Sequence, residues 1–209
     1  MYDARRMSMN NANPSSAPAP ALTAVPSTTT GIALIATFAA LIAALSLAPA
    51  VALGGIAVPI TLQTLGVALA GGILGPRRGA LATALYLVVG LAGVPVFAQF
   101  HGGISVLAQP SAGYLLSFPL AAFLIGYIAI RVPRQGKVIP VISMFGAMVA
   151  GAVIVYPAGI TMMAWRAGLT WGEAFMANLT FVPGDLIKAI AATVIVLSVR
   201  KAFPQLIRS

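Results

Sequence analysis

Cysteine is absent from the 209 residues, histidine occurs once (His101), and acidic side chains number three: Asp3, Glu173 and Asp185. Without cysteine there is no disulfide framework, no thiolate nucleophile and no zinc-thiolate site. No Walker motif is present, so any ATP consumed on this chain's behalf is hydrolysed by another. A Gly-x-Ser-x-Gly elbow is also missing, and the single histidine has no evident nucleophile beside it, which argues against an intramembrane enzyme. Charged residues are 7% of the chain, against about 25% in ordinary soluble domains.

Apolar residues fill the space left by the missing charge. Hydrophobic residues make up 60% of the sequence and mean hydropathy is +1.00, the composition of an all-α integral membrane protein. Residues 1–30, rich in Pro, Ser, Ala, Asn and Thr, read as a disordered tail, leaving 31–209 as one membrane domain. Six apolar spans follow, near 32–48, 61–75, 78–93, 112–131, 138–159 and 178–199, each suited to crossing a hydrocarbon core roughly 30 Å thick. The second and third are short, interrupted by Gly and joined by the turn GPRRG, as a helical hairpin or a pair of broken helices.

The net charge of +9 comes from cations spaced out at turns, with no aromatic interleaving and no basic helix face, which excludes nucleic acid as a partner. Their positions instead set topology. Arg5, Arg6, Arg77, Arg78, Arg131, Arg134, Lys137, Arg200, Lys201 and Arg208 fall on one side of a six-span arrangement, against Arg166 on the other. Cations favour the cytoplasmic side, so both termini are expected there. The opposite loops (48–64, 93–114 and 158–185) are longer, rich in Gly and Pro, and expected to lid a pocket.

Within the stretch FVPGDLIKAIAATVIVLSV, Asp185 and Lys188 stand three residues apart on one helix face, inside the membrane. Ionisable groups at that depth are costly and face a wet cavity or the protein interior. They form either a structural salt bridge or, as the better reading, a pocket for a small molecule bearing an anion and hydrogen-bond donors. Around them, Gln63, Gln99, Gln109 and Ser111 serve as caps and loop bonds or as ligand contacts. His101 is solvated or joins the same site. Phe97, Tyr114, Tyr156, Trp165 and Trp171 lie near the interface, where an aromatic belt is the default and one or two stack on a ligand. Arg166 and Glu173 are expected to be paired or solvated. In the first span, Ala36, Ala40 and Ala44 form one row at a period of four, and Ala39 and Ala43 a second; such stripes serve bundle packing or partner docking.

Several stretches carry a resemblance to a known family: VPITLQTLGVALAGGILGPRRGALATALYLVVGLAGVPVFA (Val58 to Ala98), the pair Gly102 and Gly103, AGYLLSF (Ala112 to Phe118) and PGDLIKA (Pro183 to Ala189). In this collinear order, over roughly 32–200, the chain resembles the BioY family, the biotin-specific substrate-binding components of energy-coupling factor transporters. The resemblance implies a six-helix protein of a prokaryotic cell membrane that captures biotin as substrate, with no cofactor. It also implies docking onto a transmembrane coupling protein with two ABC-type ATPases, and favours the Ala36, Ala40, Ala44 row as the docking surface. Asp185 and Lys188 match the acidic and basic positions of the last-helix motif, and Tyr114 the aromatic of the glycine-rich loop. Family members commonly show Gly-Pro-Thr-Gly-Gly-Tyr where this chain has QPSAGY, keeping a hydroxyl as Ser111 but losing two glycines. Either Gln99 or His101 fills the polar position after PVFA, and Lys188 either meets the biotin carboxylate or orients Asp185. The alternative is a stand-alone secondary transporter of biotin or a similar small carboxylate, against which stands the absence of inverted halves.

Overall fold

The computed structural model describes residues 28–48 and 58–203. Among these, eight α-helices occur: α1 (Thr28–Leu47), α2 (Gln63–Leu74), α3 (Pro76–Leu91), α4 (Ala112–Ala129), α5 (Val138–Ala150), α6 (Ala152–Ala167), α7 (Trp171–Leu179) and α8 (Val182–Ala202). Two short 3-10 segments, Ala98–Phe100 and Ile104–Ala108, lie between α3 and α4. The expected tail falls largely outside the described residues. Thr28 to Thr30 are helical, so α1 begins three residues before the expected edge of the membrane domain.

Four segments are long and apolar enough to cross a membrane: Thr28–Leu47, Ala112–Ala129, Val138–Ala167 and Val182–Ala202. The third joins α5 and α6 through Gly151, where Ile125 of α4 presses so closely that a Cβ would lie 2.7 Å from its Cδ1. This segment runs to Ala167, eight residues beyond the expected end at 159. The loop expected over 158–185 is accordingly mostly helical, because α6 continues past Pro157 and α7 follows after a turn at Gly168 (φ 67).

Almost every residue of α2 is buried, and it packs against α1, α3, α4, α5 and α8. A helix apolar on all sides belongs at the centre of a bundle, so α2 has no need of the length of a lipid-facing span. The turn at Gly75 folds α3 back along it, with Gly79 set against Ala70 and Gly71. The tip of this hairpin rests on Gly126 of α4, and Gly71 meets the backbone of Ala122. Small residues therefore set how closely α2, α3 and α4 approach.

A methyl group at Gly71 would run into the Ala122 carbonyl. Gly71→Ala is expected to lower stability by about 1–3 kcal/mol, read as a depressed unfolding midpoint by tryptophan fluorescence in detergent. An unchanged midpoint would show that α2 and α4 separate at little cost.

Candidate functional site

At the end of the bundle away from the hairpin tip, α2, α4, α6, α8 and the 3-10 segments enclose a cavity of about 280 Å³. Its walls are mainly apolar, among them Val58, Ile60, Leu115, Phe118, Val155 and Phe181. Pockets for small molecules span roughly 300–1,000 Å³, so this one suits a compact ligand. Of the candidates singled out from the sequence, Gln63, Phe97, Gln99, His101, Gln109, Ser111, Tyr114, Tyr156, Asp185 and Lys188 line it, and Trp165 and Trp171 do not.

One wall is a polar cluster built on α8. Pro183 sits at the head of that helix and Asp185 in its first turn. The Lys188 ammonium lies 2.9 Å from Asp185 Oδ1 and 3.2 Å from Thr64 Oγ1. Thr64 donates its own proton to Asp185 Oδ1 at 3.1 Å, and Tyr156 donates to Oδ2 at 2.9 Å. The side chains are only 12% (Lys188) and 23% (Asp185) exposed, so this pair is shielded from water. Three donors on the carboxylate, one of them the Lys188 ammonium, offset the cost of keeping an ion there. On the far side of the cluster lies a second, apolar cavity of about 150 Å³ that shares Thr64, Tyr156, Asp185 and Lys188. The two spaces thus adjoin at the cluster.

The aromatic walls are held by neighbouring glycines. Tyr114 lies flat on Gly159 of α6, and Phe97 on Gly90 of α3; a Cβ at either glycine would overlap the ring. Tyr114 also donates to Asn178 Oδ1 at 2.9 Å and meets Phe181 edge-on, with ring centroids 6.0 Å apart. Phe97 meets Tyr86 edge-on at 5.4 Å. Gln63 is buried and its amide donates to the Tyr86 hydroxyl at 2.6 Å, which in turn lies 3.1 Å from Ser46 Oγ. Its side chain serves the fold as well as the cavity wall.

The mouth is polar. Ser111 precedes α4 but makes no side-chain cap, which leaves its hydroxyl to the cavity. Gln99 (φ 58) and Phe100 (φ 60) are both left-handed, an uncommon pairing for residues with side chains. The tight reversal they form is closed by the Phe97 amide donating to the His101 carbonyl at 3.0 Å. Both Gln99 and His101 therefore reach the cavity. His101 Nδ1 also lies 2.9 Å from the Ala98 carbonyl.

Other expectations resolve outside the cavity. Glu173 and Arg166 do not pair. Glu173 closes a capping box with Thr170, whose hydrogen bonds hold its carboxyl below the usual range, and Arg166 lies over the Trp165 ring at 4.2 Å. Trp165 and Trp171 are exposed. On α1 the two alanine rows part company: Ala36, Ala40 and Ala44 are exposed, whereas Ala39 is buried and Ala43 packs against the core. Sequence reasoning missed Thr64, Asn178, Tyr86 and Ser46 as members of the hydrogen-bonded framework.

A membrane bundle with a shielded ion pair at the wall of a small-molecule cavity belongs to the class of substrate-binding transport proteins. The BioY family model matches residues 14–205, and the chain belongs to that family. It is 41% identical over 181 residues to the biotin transporter BioY of Rhizobium etli, covering 85% of this chain and 97% of that protein. With the biotin transporter BioY of Rhodobacter capsulatus it shares 39% identity over 184 residues, covering 83% and 94%. Its fold is similar to the crystal structure of the S-component for biotin from an ECF-type ABC transporter, with a TM-score of 0.77, 30% identity, and coverage of 83% of this chain and 92% of that one.

A methyl on Gly159 would push the Tyr114 ring away from Asn178. Gly159→Ala is expected to weaken ligand binding at least about tenfold through lost wall geometry, while Gly146→Ala, at an open α5 position, leaves it unchanged. Equal affinities by equilibrium binding would show that Tyr114 is not fixed by α6.

Proposed function

We propose that this chain captures biotin at the membrane as the substrate-binding component of an energy-coupling factor transporter and delivers it into the cell, with ATP hydrolysed by separate subunits. The observation that carries this reading is the internally neutral Asp185–Lys188 cluster facing a cavity with mainly apolar walls and a polar mouth. The matching relatives named as biotin transporters support it over most of their length.

Biotin presents a cyclic urea with two N–H donors and one acceptor, an apolar thioether ring and a carboxylate tail. A carboxylate has room for about four hydrogen bonds, and Asp185 has three occupied. Lys188 uses two of its three donors, and the Tyr156 oxygen keeps free lone pairs. The cluster therefore offers acceptors and one donor without spare charge, the complement of a urea edge rather than of an anion. On this reading Lys188 orients Asp185, and the ureido ring lies at the cluster between Tyr114, Phe97 and Phe181. The carboxylate points to the mouth, where Ser111, Gln99, Gln109 and the first-turn amides of α4 offer neutral donors beside His101.

The wider arrangement follows the same reading. On this reading the described helices form one domain with six crossings: α1, α2, α3, α4, α5 joined to α6, and α8. Both termini are cytoplasmic, because the cation-bearing turns lie at one end. The exposed Ala36, Ala40, Ala44 row is the face for a transmembrane coupling protein that carries two ABC ATPases, and Ala39 and Ala43 serve internal packing. A stand-alone secondary transporter of biotin or a similar small carboxylate is the second reading, favoured by the same shielded ion pair.

Radiolabelled biotin is expected to bind the detergent-purified chain saturably at nanomolar concentration, displaced by desthiobiotin and not by an unrelated vitamin. Asp185→Asn is expected to weaken binding at least about tenfold, since it leaves a buried ammonium without its counter-charge. Tyr156→Phe, which keeps the packing, is expected to weaken it less. No binding by a folded sample would overturn the assignment of biotin. For the docking face, Ala40→Trp is expected to abolish co-purification of the coupling protein while sparing biotin affinity. An intact complex would return that row to lipid. Uptake into proteoliposomes by this chain alone, driven by a proton gradient, would establish the second reading.

A further inference from the structure

Behind the aromatic wall of the cavity, three buried polar side chains from three helices meet: Ser46 of α1, Gln63 of α2 and Tyr86 of α3. The Tyr86 oxygen lies 2.6 Å from Gln63 Nε2, 3.1 Å from Ser46 Oγ and 3.2 Å from the Val96 carbonyl oxygen. A phenol has one proton to give, and a carbonyl can only accept. The proton therefore goes to Val96, and the Tyr86 oxygen accepts from both Ser46 and Gln63. This count fixes the amide of Gln63 with its NH2 group toward Tyr86. With the amide reversed, one phenol proton would have to serve two carbonyl oxygens.

The other half of that amide is the Oε1 oxygen. It takes no donor from the described residues, although Gln63 is only 6% exposed and lines the cavity. An acceptor so enclosed is costly unless something bonds it. Thr64, the next residue, belongs to the Asp185 cluster, so the first turn of α2 carries Gln63 and that cluster together. Phe97, which flanks the ureido ring in the reading proposed above, meets the Tyr86 ring edge-on, so it shares this neighbour with Gln63.

The chemistry that completes Oε1 is a neutral N–H donor. A cyclic urea carries its two N–H groups on opposite sides of the carbonyl. An edge that meets the donor and acceptors of the Asp185 cluster uses the carbonyl and one N–H, and the second N–H needs an acceptor elsewhere. We infer that Gln63 Oε1 receives this second N–H and sets the requirement for an intact urea, with Tyr86 and Ser46 as positioning residues that hold the amide in its accepting orientation. The inference rests on biotin as the ligand.

The test is equilibrium binding, to the full chain in detergent, of biotin and its two oxazolidinone analogues, in each of which one ring N–H is replaced by oxygen at nearly constant shape. Wild type is expected to bind each analogue at least about tenfold more weakly than biotin, because either replacement sets an oxygen against a buried acceptor. Gln63→Leu is expected to lose discrimination against one analogue, to within about twofold, and to keep it against the other. Tyr86→Phe, which frees the amide to turn, is expected to cut discrimination against that same analogue at least about threefold. A purely structural role would weaken all three ligands alike, so equal losses in Tyr86→Phe would overturn the positioning role. Tryptophan-fluorescence melting verifies folding of each variant, and Gln63→Met, which keeps the length of the side chain, carries the test if Gln63→Leu unfolds. Wild type that binds either analogue as tightly as biotin, or a folded Gln63 variant that still rejects both, would overturn the inference while leaving biotin as the ligand. Failure of folded wild type to bind biotin itself would overturn the functional reading, and this inference with it.

Discussion

A carboxylate kept inside a membrane must be surrounded by donors or lose its charge, and much of this bundle is arranged to surround Asp185. The donors come from three directions: Thr64 on central α2, Tyr156 on α6, and Lys188 one turn along α8. The α6 contribution has the largest structural consequence, since α6 and α8 scarcely pack against each other elsewhere. The Tyr156–Asp185 bond is thus the tie between these two helices at the level of the cavity. A ligand competing for the Asp185 oxygens acts on a joint of the bundle, not only on a wall.

The remaining walls are fixed by shape. Gly159 and Gly90 give up their side chains so that Tyr114 and Phe97 can lie against helix backbone, and buried hydroxyl and amide partners then hold those rings or their neighbours in register. A rigid aromatic wall loses little freedom when a ligand arrives, which is how a small cavity can bind tightly. The left-handed pair Gln99 and Phe100 extends this economy to the mouth, because strain of about 1–3 kcal/mol per residue persists only where surrounding structure imposes it.

Legibility in the sequence followed the contrast between a residue and its surroundings. Asp185 and Lys188 stood out because a charge in an apolar run is conspicuous and a spacing of three puts both on one face. Thr64 was invisible because threonine is unremarkable in an apolar helix; only the fold brings it, from 121 positions away in sequence, onto Asp185. Asn178 was lost for a different reason: the segment around it read as loop, although Thr170-x-x-Glu173 spells a capping box and marks the start of α7. The helix α6 continues through Pro157 and Gly159 to Ala167, so the span drawn to 159 fell eight residues short. On α1 the period of four revealed two alanine rows without saying which faces inward. The larger members of the buried stripe, Ile42 and Ser46 beside Ala39, carry that information only once neighbouring helices are placed.

Charge is divided unevenly along the molecule. Both described acids have partners within the chain, Asp185 in the cluster and Glu173 in its capping box, so neither is available to balance the cations at the opposite end. The exposed alanine row of α1, by contrast, holds no charge and can attract a helix only by close contact of surfaces. On the reading proposed above, that attachment depends on fit and is indifferent to salt.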